Sequence, residues 1–227
     1  MENETTIKPI AYIRTDFDEK FGIPRQSGRV PSLFGKIVFL PQYRNPDALR
    51  GIEEFSHLWL IFDFSKSHRS EWSPTVRPPR LGGNTKIGVF ASRSPFRPNP
   101  IGLSSVKLER IEHDEQSGDV LIVSGADLLD NTPIYDIKPY IPYCDCHTDA
   151  KGSYAEEMNS HRLEVDFPPK YLSMIPKDKQ SAAAECLAED PRPSYQDDPN
   201  RIYNMKFAGF DIHFKVEGGK ATVTGIN

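Results

Sequence analysis

Cysteine is scarce in this 227-residue chain, where Cys144, Cys146 and Cys186 make an odd set of three. Such a set excludes a disulfide-built scaffold and suits a compartment in which thiols stay reduced. Long apolar runs are missing too. The longest, Leu58 to Phe62, is far too short to cross a bilayer, and no apolar leader precedes the first expected strand. A cytoplasmic protein without a transmembrane span is expected. Neither G-x-G-x-x-G nor a Walker sequence occurs, which disfavours the two commonest nucleotide folds. G-x-S-x-G and H-E-x-x-H are absent as well, which removes two hydrolase classes.

A further absence is local. From Trp72 through Leu108 there is no Asp or Glu, although the chain's 32 acidic residues would place about five in such a window. Arg77, Arg80, Lys86, Arg93, Arg97 and Lys107 all fall there. The net charge of −4 excludes a generally basic coat but leaves room for this one basic face. Within the window, Lys86 to Leu103 reads K-I-G-V-F-A-S-R-S-P-F-R-P-N-P-I-G-L, a short strand (Ile87, Val89, Phe90) feeding a loop with prolines at 95, 98 and 100. Prolines fix φ, so the loop should hold Arg93 and Arg97 in place before anything binds. An anion is the natural guest; paired structural arginines are the plainer reading.

What the chain does contain is turn chemistry. Twenty prolines and fifteen glycines point to many turns and short strands, not to a helical bundle. Strands are expected around Ile10 and Tyr12, over Lys36–Leu40, over His57–Phe64 and over Ser105–Ile111. The last turns at Gln116-Ser117-Gly118 into Asp119–Val123. Asn45-Pro46-Asp47 starts a helix that should stop near Gly51. The pattern is mainly β: a small antiparallel β-barrel over residues 1–145. Small polar residues from about Cys144 read as a linker. A smaller α+β unit completes 146–227, with a helix over Asp178–Ala188 and a hairpin turning at Gly218-Gly219.

Three clusters are candidates for chemistry. Cys144-x-Cys146-His147 lacks a matching second ligand pair, so no metal is expected. Trp59 and Phe62 read as core, and His57 as a hydrogen-bonded barrel residue. Asp127-Leu128-Leu129-Asp130 stands before an N-T-P turn. Either Asp130 caps that turn, or one carboxylate receives a hydroxyl, an amine or a cationic centre while the leucines cover an apolar ring.

Five stretches occur in order: K-F-G-I-P-R-Q-S-G, L-R-G-I-E-E-F-S-H-L-W-L, R-P-P-R-L-G-G, G-V-F-A-S-R-S-P-F-R-P-N-P-I-G-L-S and D-L-L-D-N-T-P-I-Y-D-I-K-P-Y. Together they resemble the TsaA-like (TrmO) family of tRNA methyltransferases over about residues 7–143, and D-P-R-P-S-Y with the final hairpin resembles the C-terminal part of bacterial members. The resemblance implies a barrel that works as a homodimer and binds S-adenosylmethionine between its loops. It also implies methylation of N6-threonylcarbamoyladenosine on N6, beside the anticodon of tRNA. Cofactor contacts carried over are Pro24, Arg25, Gln26, Ser65, Lys66, Arg93, Leu103, Asp127, Leu128, Leu129 and Asp130. Ser65-Lys66 stands where such proteins often place a His, with His68 slightly later. Arg77, Arg80, Arg97, Lys138 and Tyr140 are expected on the tRNA, and Asp136 and Asn99 at the reacting group, with Asp136 or the substrate's own carboxylate taking the proton. Two rival readings remain: a non-catalytic RNA-binding module that uses the same Arg loop and, less readily, a phosphate-ester hydrolase, which would want a metal cluster in the barrel mouth and leave that loop unexplained.

Overall fold

The computed structural model describes residues 5–227 apart from 79, 80, 82–84, 158–160, 194, 195 and 197. Its strands are β1 (Ala11–Arg14), β2 (Phe34–Phe39), β3 (His57–Asp63), β4 (Thr75–Val76), β5 (Ile87–Gly88), β6 (Ile101–Asp114), β7 (Gly118–Ser124), β8 (Thr132–Pro139), β9 (Glu164–Asp166), β10 (Tyr203–Phe207), β11 (Phe210–Glu217) and β12 (Lys220–Ile226).

Six strands pair in the order β1-β2-β7-β6-β3-β8, and β8 returns to pair with β1, so the sheet is a closed barrel. Every pairing is antiparallel. Period-2 alternation fills the interior: on β3, Leu58, Leu60 and Phe62 are buried while Trp59 and Ile61 turn outward. Trp59, expected in the core, is therefore half-buried on the outer face, where its indole donates to the Asp145 carboxylate at 2.9 Å.

Antiparallel closure decides which loops meet. β1, β3 and β7 end, and β2, β6 and β8 begin, at the same mouth. Segments 15–33, 64–100 and 125–131 therefore all leave from one end of the barrel. The ladder is irregular at two places, one between β6 and β7 at Leu108–Arg110 and the other between β3 and β8. Ile61 pairs with Asp136 but Phe62 pairs with Ile134, so Tyr135 is an extra residue in β8. Beyond this bulge Asp136 shares the outer face with Ile61, whereas Ile134 stays inside.

The second sheet runs β10-β11-β12-β9, with β9 parallel to β12. The helix Lys177–Ala188 buries Ala182, Ala183, Cys186 and Leu187 in its core. That core is not confined to residues 146–227: Phe17, Val30 and Leu33 belong to it, and Phe17 meets Phe207 edge-on at 5.4 Å. The first barrel loop thus provides the floor on which the C-terminal unit is built.

Two expected elements are shorter than the sequence suggested. The strand over Ile87–Phe90 reduces to β5, which pairs only with β4 outside the barrel, and Val89–Ala91 form a 3-10 turn. The helix after Asn45 is a 3-10 turn over Pro46–Leu49, with the Asn45 side chain accepting from the Asp47 amide at 3.0 Å. In each case a proline-rich or short apolar segment lacks the length to propagate regular structure.

Gly102 of β6 lies directly across from Phe62, and a Cβ there would stand inside the Phe62 ring. Gly102→Ala is expected to cost about 1–3 kcal/mol through overpacking. A urea melt would show a lower midpoint at unchanged slope; an unshifted midpoint would contradict this packing.

Candidate functional site

A cavity of about 1610 Å³ opens at the barrel mouth, walled by all three mouth loops and by part of the C-terminal unit. Pockets for one drug-sized ligand run to roughly 300–1,000 Å³, so this one has room for two partners side by side.

Its first wall is the 125–129 segment, held by two loops. Gly28 donates its amide to the Gly125 carbonyl at 2.8 Å. The approach is so close that a Cβ on Gly125, which sits at φ 74°, would be 3.1 Å from the Gly28 backbone. Asp127 accepts from the Ser104 hydroxyl at 2.6 Å. Burial raises the Asp127 carboxyl above the usual carboxylate range, and Ser104, backbone amides and the nearby Arg93 guanidinium only partly oppose it. Arg93 donates to the Gln26 side-chain oxygen, which ties the proline loop to the 24–28 loop. Leu128 and Leu129 complete this wall. A buried carboxylate beside leucines suits a ligand that carries both a cationic centre and an apolar ring.

The proline loop is braced from within. Arg97 donates to the Ser92 and Ser94 carbonyls at 3.1 and 3.4 Å, and Ser92 donates to the Val89 carbonyl at 2.8 Å. Arg97 lines the cavity, yet part of its guanidinium is used to hold the loop that presents Arg93.

Among the residues expected at the cofactor, Arg25, Gln26, Ser65 and Lys66 line this cavity together with Arg93, Asp127, Leu128 and Leu129. Arg77 is also on its wall. Pro24 is buried beneath its loop and does not line the cavity. Asp130 does not line it either: its carboxylate accepts from the Thr15 amide on the first barrel loop at 3.0 Å and from the Asn131 side chain at 2.7 Å, not from a backbone amide of the N-T-P turn it was expected to cap. Arg80 lies outside the described residues.

The remaining expected residues stand elsewhere on this chain. Asp136 is carried to the outer face by the bulge, where it pairs with Lys138 at 2.8 Å. Leu103, 56% exposed, pairs across β3 with Ile61, so Leu103, Ile61 and Asp136 form one outer row over three strands. Tyr140 packs on Trp59 and His57 at the end of the barrel away from the mouth, a full strand length from the cavity. Asn99 is exposed, with its carbonyl accepting from the Ile101 amide at 2.7 Å.

Several wall residues were not expected. Lys20, Arg69 and Phe96 line the cavity, as do Arg29 and Glu189. Lys20 opens the motif K-F-G-I-P-R-Q-S-G and Phe96 sits in the proline loop, so both had a signal. Arg69 had none, being separated from the acid-free window by Glu71. Glu189, 4% exposed, pairs with Arg29 at 2.8 Å and with Arg162 at 3.3 Å, and Arg25 donates to the Arg192 carbonyl at 2.8 Å. The C-terminal unit thereby grips the 24–29 loop.

The chain matches two family models, the tRNA-methyltransferase O N-terminal domain over residues 12–146 and the TrmO C-terminal domain over residues 160–227. It is 41% identical over 215 residues to the tRNA (adenine(37)-N6)-methyltransferase of Escherichia coli, covering 91% of each chain. It is 39% identical over 226 residues to a Pseudomonas aeruginosa protein that bears the name "Putative S-adenosylmethionine-dependent methyltransferase RcsF", covering 92% of this chain and 91% of that one. A crystal structure of TrmO from P. aeruginosa superposes with a TM-score of 0.82 at 34% identity, over 100% of this chain and 98% of that one. With both domain models matched in order and the fold shared from end to end, the chain belongs to the TrmO family of tRNA methyltransferases.

Proposed function

We propose that this protein transfers the methyl group of S-adenosylmethionine to N6 of adenine 37 in tRNA, acting in the cytoplasm on the N6-threonylcarbamoyl form of that base. The observation that carries the reading is the joint placement of Arg93, Gln26 and the Asp127–Leu129 segment on one cavity wall. The relatives' names supply the reaction, and the motif resemblance supplies the form of the acceptor.

When bound, S-adenosylmethionine supplies an electrophilic methyl on a sulfonium centre. The residues bind and orient. Leu128 and Leu129 offer an apolar seat for a flat ring, Asp127 a counter-charge for a cationic or hydroxyl group, and Arg93 a fork for a carboxylate. In-line displacement needs positioning above all, which the braced proline loop and the Gly28–Gly125 contact provide. The basic rim, with Arg77 and Lys86, suits the RNA backbone. A binding module without catalysis would have no use for a buried carboxylate beside leucines.

The protein is further proposed to act as a homodimer, in two-domain chains dividing near residue 145. What supports the dimer is the outer row of Leu103, Ile61 and Asp136, together with half-exposed Ile101 on the same strand. Docked against a second copy, that row would carry Leu103 and Asp136 to the partner's cavity. Asp136 would then be the proton acceptor across the subunit boundary.

Incubation with labelled S-adenosylmethionine and threonylcarbamoylated tRNA is expected to yield labelled N6-methylated nucleoside by mass analysis; saturable cofactor binding with no transfer to any tRNA would refute the reading. Mixed Arg93→Ala and Asp136→Asn chains, each inactive alone, are expected to recover about a quarter of wild-type activity through hybrid dimers. No recovery would place both residues in one chain's site. Cofactor binding should also depend on pH. A cationic ligand takes Asp127 ionised, so affinity falls as pH drops through its raised pKa, beginning at higher pH than for an ordinary carboxylate. Calorimetry across pH should show that decline in wild type and lose it in Asp127→Asn; the same decline in the variant would assign it to another group.

A further inference from the structure

A second group of charges lines the cavity. Lys20 and Arg69 gather around Phe96, and Lys66 lines the same cavity, close enough to Lys20 for the two charges to interact. The Lys20 ammonium donates to the Lys66 carbonyl and to the Ser67 hydroxyl, both at 2.9 Å, so it is fixed by neutral acceptors. The Arg69 guanidinium lies over the Phe96 ring at 3.7 Å from its centroid, with Lys20 Nζ at 6.0 Å. Stacking engages the guanidinium face and leaves its in-plane N–H fork available.

Among the described residues, none of the three cations forms an ion pair with a carboxylate. Asp63 on the same wall pairs instead with His68 at 2.7 Å, and Glu189 with Arg29. Glu71 lines the cavity without pairing to any of the three. They also feel one another: burial, then Arg69, then Lys66 push the Lys20 ammonium below its ordinary pKa. Like charges held together around an aromatic ring, inside a cavity with room for a second ligand, await an anion.

We propose that Lys20, Lys66 and Arg69 form an anion subsite that takes the carboxylate carried on the N6 substituent of the acceptor adenine. The inference rests on the reading of the acceptor given above. A planar fork and an ammonium fit a carboxylate, and the aromatic ring fits the flat urea-like group that carries it. Phosphates of an anticodon loop are the rival anion. They reach an enzyme along its rim, where Arg77 and Lys86 stand exposed on the two-stranded flap of β4 and β5. The subsite would let the enzyme reject adenines that lack the acidic substituent, since three cations would then remain buried against the substrate unpaired.

The test compares two synthetic anticodon stem-loops, one with N6-threonylcarbamoyladenine and one with its threonine carboxamide. Wild type is expected to favour the acid in kcat/KM by a factor on the order of ten to a hundred, from charge-assisted hydrogen bonds. Arg69→Gln and Lys20→Gln, both at exposed positions, should bring that ratio towards one by raising KM for the acid. An unchanged ratio overturns the proposal. A fall on both substrates together, with a shallower salt dependence, would assign the cluster to RNA phosphate. Weaker S-adenosylmethionine binding by calorimetry at an unchanged ratio would assign it to the cofactor's carboxylate. If wild type methylates neither stem-loop, the functional reading fails by itself. The subsite is then judged by NMR titration with N-carbamoylthreonine, which should bind wild type and not Arg69→Gln; equal shifts in both would reject it.

Discussion

The return of β8 onto β1 is the constraint on which the rest of the molecule depends. An open antiparallel sheet could splay its loops along two edges. Closure allows no edge, and the up-and-down sense of the six strands then forces three long loops to one mouth. Residues more than a hundred positions apart, Gln26 and Asp127 among them, come to share a wall because of strand direction and not because of any direct attraction between them. The loops add what a barrel end alone does not supply. Two glycines let two of them touch backbone to backbone, and Arg97 turns one amino group of its guanidinium back onto its own loop.

Electrostatics divide the cavity. One wall has a carboxylate whose burial works against its charge, beside leucines; the other has cations whose neighbours are also cations. Each side is therefore under tension that a ligand of the opposite sign relieves, and the two signs differ. A methyl donor with a positive sulfur and an acceptor with a negative substituent are complementary to that division. The C-terminal unit takes part by buttressing: Glu189, nearly out of solvent, is held between Arg29 and Arg162, and the first barrel loop supplies Phe17, Val30 and Leu33 to its core. Breaking a buried pair of this kind from one side costs more than making it gains, so the loop and the C-terminal unit are fixed to each other.

Much of this was legible in the sequence because the relevant signals are local. The unbroken apolar run of His57–Asp63, the glycine turn at Gly118 and the Gly218-Gly219 hairpin each mark a strand or a turn within a few residues, although the run does not show that Trp59 and Ile61 face outward. The acid-free window and the proline loop likewise mark the basic rim at Arg77 and Lys86 and the loop that carries Arg93. What was not legible is set at long range. The bulge at Tyr135 moves Asp136 to the outer face, and nothing in I-Y-D-I-K announces an extra residue. Arg69 joins Phe96 only through the path of the 64–100 loop. The apolar residues of the 15–33 segment read as loop, yet they pack under a sheet formed nearly two hundred residues later. Asp130 reads in sequence as a cap for its own turn, whereas its backbone partner is the Thr15 amide, more than a hundred residues away.

The central claim is that one barrel mouth assembles the methyl-donor site from Gln26, Arg93 and Asp127–Leu129. A crystal structure of the protein grown with S-adenosylmethionine tests it most directly. The account predicts density for the donor against the Leu128–Leu129 segment, with a polar group of the donor within hydrogen-bond distance of Asp127 and its carboxylate facing Arg93. Density at any place that leaves these residues untouched would contradict it.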